Sequence, residues 1–258
     1  MPLSNIEKHY NKHPEDLRLQ RRHGIVEFET TLHHLHRFLK PDNTILDIGA
    51  GTGRYASALM AEGYRVKAVE LVRRNIEVFL KREPTADVVQ GDARSMPFLP
   101  DNMADVTLLL GPLYHLIGEE EKLKALREAK RVTRPGGIIF VAYLMNEYSI
   151  LSYCFDEERI EGLLERGVVD SQYHVKVQEG ELYDYVRLED IDSLNRQAGL
   201  ERLTIFSPDG AADYMRTRLN RMSEQTFARF IEYQKTISER PDLIGAGSHV
   251  VDVLIKKD

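Results

Sequence analysis

The sequence predicts an α/β protein built on a parallel, doubly wound sheet. Short β-branched and apolar runs alternate with helical runs through residues 42–145, and the first apolar run passes straight into Gly49-Ala50-Gly51-Thr52-Gly53. Strands alternating with helices join through right-handed crossovers, which bury a parallel sheet between two helical layers.

The first 40 residues read as helical. From Gly24 to Leu39 the apolar positions Ile25, Val26, Phe28, Leu32, Leu35, Phe38 and Leu39 recur at three- and four-residue steps, and Pro41 with Asp42-Asn43 ends the run. Thr44–Ile48 suits a buried strand; the glycines follow, then a helix over Tyr55–Glu62 closed by Gly63. The alternation repeats with a strand at Arg65–Glu70, a helix at Val72–Lys81, a strand at Ala86–Gln90 and a turn at Gly91–Arg94. Asp105–Leu110 is a fourth strand, Glu119–Val132 a helix of strong formers, and Arg134-Pro135-Gly136-Gly137 a turn into a fifth strand, Ile138–Tyr143.

Beyond residue 145 the rhythm changes. A helical stretch near Glu157–Arg166 precedes a β-like run at Tyr173–Val177; Leu188–Gly199 reads as a helix, Leu200–Phe206 as a strand, Ala211–Arg240 as polar helix and His249–Lys256 as a final strand. The domain reading is a helical cap over 1–41 and a core of 42–145 plus 188–258. Segments 146–187 and 210–240 are insertions that cover substrate.

Composition narrows the function. The 258 residues are 42% hydrophobic and 29% charged, an ordinary globular balance, and no stretch approaches the roughly 18 apolar residues of a membrane span. The charged N-terminal segment does not read as a secretory signal, and the single cysteine, Cys154, forms no internal disulfide, so a cytoplasmic protein is expected. The net charge of −6 argues against a duplex nucleic-acid partner, although Arg21-Arg22-His23 forms a basic cluster. The expected partner is a small molecule.

Glycines after a buried strand let a ligand approach the backbone, and the following helix start supplies N–H donors and partial positive charge. The dinucleotide pattern GxGxxG fails because Arg54 stands at its third glycine, and no phosphate-loop Gly-Lys-Ser/Thr occurs. Glu70 ends the second strand, where a carboxylate accepts from ribose hydroxyls, and Asp92 follows the third, where it accepts from an adenine amine.

The ordered strings ILDIGAGTGRYASALMAEGYRVKAVEL, QGDARSMPF, ADVTLLLGPLYHL and REAKRVTRPGGIIFV resemble the motifs of class I, Rossmann-like S-adenosylmethionine-dependent methyltransferases over roughly residues 42–145. The resemblance implies a seven-stranded, mostly parallel sheet with an antiparallel last strand. It implies S-adenosylmethionine as cofactor and no metal. Asp47 would then orient the loop and, through water, the cofactor's ammonium. Gly49, Ala50, Gly51 and Gly53 would contact the methionine and ribose portion, Glu70 the ribose, Leu71 the adenine face, and Asp92 and Ala93 the adenine edge. Leu110 and Gly111 would offer carbonyls to the amino group.

Past the fourth strand, His115 is the candidate general base and Tyr114 the residue that shapes the pocket. The Asn/Asp-Pro-Pro-Tyr signature of amine and base methylation is absent. The aromatics Tyr10, Tyr143, Tyr148, Tyr153, Phe155, Tyr183, Tyr185 and Tyr214 of the cap and insertions are candidates for an acceptor pocket and lid, with Tyr10, Tyr143, Tyr148 and Tyr153 foremost; a separate insertion core is the competing arrangement. His33, His34 and His36 are read as a solvated or partner-facing helix face rather than a metal site, and Cys154 as a small buried residue. The function expected is methyl transfer to an O, N or C centre of a small molecule. RNA or protein methylation and a non-catalytic cofactor-binding module stand as alternatives, and exposed aromatics suit a homodimer.

Overall fold

The computed structural model describes Ile6 and residues 21–257. Apolar runs become the strands β1 (Thr44–Ile48), β2 (Arg65–Glu70), β3 (Asp87–Gln90), β4 (Ala104–Leu109), β5 (Thr133–Leu144), β6 (Glu201–Phe206) and β7 (His249–Ile255). They form one sheet in the order β3-β2-β1-β4-β5-β7-β6. The pairs among the first five strands are parallel, and β7 lies antiparallel to both neighbours. The expected seven-stranded topology is therefore present.

Helices flank the sheet: α1 (Arg22–His36), α2 (Arg54–Ala61), α3 (Arg73–Arg82), α4 (Glu119–Val132) and α7 (Leu188–Ala198). Short helices α5 (Asn146–Ser149) and α6 (Ile160–Glu165) belong to the segment after β5, and α8 (Arg216–Leu219) and α9 (Glu224–Ile237) to the segment after β6. One core face joins Leu46, Ile48, Leu109, Leu126, Val141 and Leu254; the other joins Leu35, Ile45, Leu108, Phe140 and Val253. Alternate strand residues thus fill opposite faces, as strand geometry requires.

Three local expectations are corrected. The stretch Arg134–Gly137, read as a turn, lies within β5 as a bulge: Ala104 pairs with Thr133 and Val106 with Ile138, Gly136 is left-handed (φ +73°), and the bulge is held by Gly136 N donating to Lys256 O and Lys256 N to Gly137 O. The β-like run at 173–177 yields only an isolated Val169–Val175 bridge. The helix expected over 211–240 is two, because Ser223 caps a new start, its Oγ accepting from Thr226 N at 3.2 Å.

The histidine-bearing face of α1 is also not simply solvated. His34 is buried and stacks on Phe206 with centroids 3.9 Å apart, its Nε2 2.8 Å from Ser238 Oγ; burial pushes its imidazole down to about 4. That stack ties α1 to the end of β6. Val26, Ala212, Leu219 and Phe227 add a small apolar core between α1 and the segment after β6. The segment after β5 has its own core of Ile150, Cys154, Ile160 and Val169, with Cys154 buried and a π-helical turn at Ile150–Phe155. Among the described residues no helix is long and apolar enough to cross a membrane.

Candidate active site

Parallel strands end together, so the loops after β1, β2, β3 and β4 meet at one edge of the sheet. A cavity opens there, lined by Asp47, Gly49–Thr52, Glu70, Leu71, Asp92, Ala93, Leu110, Gly111, Tyr114 and His115, among others. Two glycines make the bend. Gly49 (φ +75°) and Gly53 (φ +78°) occupy left-handed backbone, and a Cβ would lie 2.5 Å from Pro112 at the first and 2.3 Å from Phe79 at the second. Gly53 is thereby packed beneath the loop and lies outside the cavity lining.

The acidic residues differ in role. Asp47 is 3% exposed, and its Oδ2 has no hydrogen-bond partner. Burial, reinforced by the charge of Glu70, raises its carboxyl to about 7. Glu70 is held by the loop itself: Gly51 N donates to its Oε2 at 2.8 Å, while Val72 N (2.8 Å) and Asn75 Nδ2 (3.2 Å) donate to Oε1. Gly51 is thus fixed through its N–H to the strand-end carboxylate. Asp92 is clamped by Arg94, whose Nη2 donates at 2.6 Å and Nε at 3.0 Å; burial raises its carboxyl, but these bonds outweigh it and leave the group below the ordinary range.

Arg54, read in the sequence only as a break in a nucleotide pattern, lines the same cavity. Its guanidinium lies 4.4 Å from the Phe28 ring centroid, and its buried Nε has no hydrogen-bond partner. Its signal was its place, the first residue of α2 straight after the glycine bend. A polar ligand carrying an ammonium and a carboxylate fits these two unsatisfied groups, Asp47 Oδ2 and Arg54 Nε, because each otherwise costs about 1–3 kcal/mol in desolvation.

His115 and Tyr114 lie on the 3₁₀ turn Pro112–His115 after β4. His115 Nδ1 is 2.9 Å from Leu182 O, and a carbonyl only accepts, so Nδ1 carries the proton and Nε2 is the basic nitrogen of the neutral ring. Tyr114 borders a second cavity, with Arg21, His23, Leu144, Tyr148, Tyr153, Tyr183, Tyr185, Asp213, Arg216, Ser248 and His249. Tyr148 and Tyr153, two of the candidate aromatics, are among these lining residues. Tyr143 is not: it is 1% exposed in the core cluster, because β5 directs it to the inner face, and it lines neither cavity. Tyr10 lies outside the described residues. Tyr183 and Tyr185, two more of the candidate aromatics, line the second cavity as well; Asp213, Arg216 and His249 complete it without a local motif, and only the fold brings them together.

Residues 46–141 match the sequence model of a methyltransferase domain. The chain is 35% identical over 102 residues to a demethylmenaquinone methyltransferase of Renibacterium salmoninarum, covering 40% of this chain and 41% of that protein. It is 38% identical over 101 residues to a cypemycin N-terminal methyltransferase of a Streptomyces species, covering 38% and 40%. The alignments therefore span about two fifths of these relatives' length. A solved SAM-dependent methyltransferase from Methanosarcina mazei superposes with a TM-score of 0.59 over 87% of this chain and 97% of its own, at 14% identity, which is a likeness of fold.

Proposed function

We propose that this chain, whose residues 46–141 match a methyltransferase domain, is a class I S-adenosylmethionine-dependent methyltransferase that transfers a methyl group to an O, N or C centre of a small molecule. The observation that carries this reading is the pair of adjoining cavities with Tyr114 as their shared wall. The first suits the cofactor and the second an acceptor of modest size.

In this reading Asp47 and Arg54 hold the ammonium and carboxylate of the methionine portion, with the backbone of Gly49, Ala50 and Gly51 alongside. Glu70 holds the ribose, Leu71 packs on the adenine, and Asp92 and Ala93 meet its edge. The carbonyls of Leu110 and Gly111 face the amino group. When bound, the cofactor supplies an activated methyl on a sulfonium, so the protein's tasks are alignment and exclusion of water. Tyr148 and Tyr153 line the acceptor side. Their position at the cavity, apart from the aliphatic core around Cys154, supports the pocket arrangement over a separate aromatic core. The relatives' names point to two different acceptors, so likeness alone does not choose between acceptor chemistries. A cytoplasmic enzyme is the setting this reading assumes.

Calorimetric titration with S-adenosylmethionine, on wild type and Glu70→Ala, tests the assignment. Saturable binding weakened at least tenfold by the substitution, roughly 1.4 kcal/mol, is expected. Absence of binding by a folded wild-type sample would overturn it.

A further inference from the structure

His249 lines the second cavity and pairs with the buried Asp209, outside the glycine-loop site. His249 opens β7 and is paired in register with Leu144, the last residue of β5. It therefore sits at the edge of the sheet that also carries the loop after β4. Its Nδ1 lies 2.7 Å from Oδ2 of Asp209, and its backbone N–H donates to both Asp209 oxygens at 3.2 Å. Asp209 is 2% exposed. Burial raises its carboxyl above the ordinary range, against the pull of His249 in the opposite direction.

The loop bearing Asp209 is fixed from three sides. Gln234 Nε2 donates to Ser207 O at 2.8 Å, and Ser207 N donates to Ser238 O at 2.9 Å. A Cβ on Gly247 would lie 2.5 Å from Ser207 Oγ and 2.9 Å from Asp209 Oδ1, so the two loops meet at backbone distance. A buried carboxylate anchored in this way orients the imidazole, places its proton on Nδ1 and makes Nε2 more basic.

The surroundings favour one class of acceptor. Among the described residues that line the cavity, two guanidinium groups, Arg21 and Arg216, stand against one carboxylate, Asp213. Arg216 Nε donates to Asp213 at 2.9 Å, and His23 Nε2 stands 4.0 Å from it. Such a balance suits a substrate that becomes an anion better than one that arrives as a cation. Tyr148 and Tyr185 supply ring faces; burial raises both phenols, Tyr185 to about 12, so their hydroxyls stay neutral donors. Among the described residues, the charged and titratable groups around the pair are Asp213, Tyr214 and Arg216 from the segment after β6, Arg21 with His23 and Glu27 of α1, Tyr114 from the turn after β4, and Tyr148, Tyr153, Tyr183 and Tyr185 from the segment after β5.

We propose that His249, oriented by Asp209, is the general base for an aromatic or conjugated hydroxyl compound bound in this cavity. The proposal rests on the methyltransferase reading for its second step only. First the acceptor O–H bond breaks, its proton goes to His249 Nε2, and the electron pair stays on the conjugated anion. That anion then forms the new bond to the methyl carbon through oxygen or a conjugated carbon. The old carbon–sulfur pair remains on sulfur, and the proton leaves to solvent. Asp209 is a positioning residue that does not itself touch the acceptor.

The test uses 4-nitrophenol, whose anion absorbs in the visible, at a pH where most of the free probe is protonated. Binding to wild type should raise the anion band, lowering the bound probe's apparent pKa by at least about one unit, a tenfold shift in ionisation. His249→Gln should bind the probe without that shift, and Asp209→Asn should lose part of it, both with cooperative melting transitions. If His249→Gln does not fold, Asp209→Asn alone decides, and an undiminished shift overturns the proposal. No binding by wild type, no shift on binding, or a shift abolished by His115→Gln but kept by His249→Gln would each overturn it as well. Cofactor titration of the same samples reads the methyltransferase assignment separately, since the probe's ionisation does not require the cofactor.

Discussion

The rings of Tyr114 and His249 stand 5.9 Å apart, centroid to centroid, with Tyr114 also 4.8 Å from His115. Tyr114 thus stands between His115 of the first cavity and His249 of the second, and it borders both spaces. Its hydroxyl makes a long 3.4 Å bond to Leu110 O, and its ring lies against those of His115, Tyr183 and His249, so the ring is what builds the wall. Tyr114→Phe should therefore cost far less turnover than Tyr114→Ala, which removes the wall and should lower kcat about 10²-fold through misplaced reactants. Steady-state formation of S-adenosylhomocysteine measures both. Equal losses would assign the hydroxyl a proton-transfer role instead.

The two candidate pocket tyrosines of the segment after β5 differ in a way that separates binding from stability. Tyr153 is 44% exposed, whereas Tyr148 is 5% exposed, packs in the main core and accepts a 3.2 Å bond from Arg216. Tyr153→Ala should raise KM for the acceptor with an unchanged melting temperature. Tyr148→Ala should destabilise the fold by about 3–5 kcal/mol, the range for emptying a large aromatic site. Denaturant unfolding of the two variants checks this, and equal stabilities would show that Tyr148 acts only as a pocket residue.

How much of this was legible follows from how far apart the cooperating residues lie in the chain. The glycine bend, Asp47, Glu70 and Asp92 each sit at the end of an apolar run, so strand periodicity located them before any coordinates. Arg54 was adjacent to the bend, but its chemistry depends on being buried beside Phe28, which composition does not encode. His249 and Asp209 are separated by α8 and α9 and meet only because β7 inserts between β5 and β6. The turn reading of Arg134–Gly137 was incomplete for a related reason: the proline and glycine preference shapes a bulge there, and hydrogen bonds to the distant Lys256 hold that bulge within β5. Tyr143 was misassigned because an aromatic near a strand end looks alike in sequence whichever face it takes.

The β6–β7 edge carries a buried charge whose loss should be felt in stability. Asp252 is fully buried and accepts from Arg202 Nε at 2.7 Å, Arg202 Nη2 at 2.8 Å and Asn195 Nδ2 at 2.7 Å. Removing one partner of such a pair strands the other charge in low dielectric. Arg202→Ala should lower unfolding free energy by about 3–5 kcal/mol in urea melts. Replacing both partners with apolar residues, Arg202→Leu with Asp252→Leu, should recover much of it. A double variant as unstable as the single would mean that the pair itself, rather than the orphaned carboxylate, sets the stability.

Asp47 should couple cofactor binding to proton release. Its carboxyl is raised from 3.8 to about 7 by burial and by Glu70, so the folded, ligand-free protein holds a proton there that the unfolded chain would lose earlier. The resulting stabilisation is fully present below the unfolded value and is lost as pH rises through about 7. Asp47→Asn should flatten that slope. A cofactor ammonium beside the carboxylate favours its charged form, so binding below pH 7 should expel the proton. Calorimetry in buffers of different ionisation enthalpy measures the release directly: the binding heat of wild type should vary with the buffer, and that of Asp47→Asn should vary much less. Heats independent of buffer for wild type would mean that Asp47 keeps its proton when the cavity is filled, and that the ammonium is held by another group.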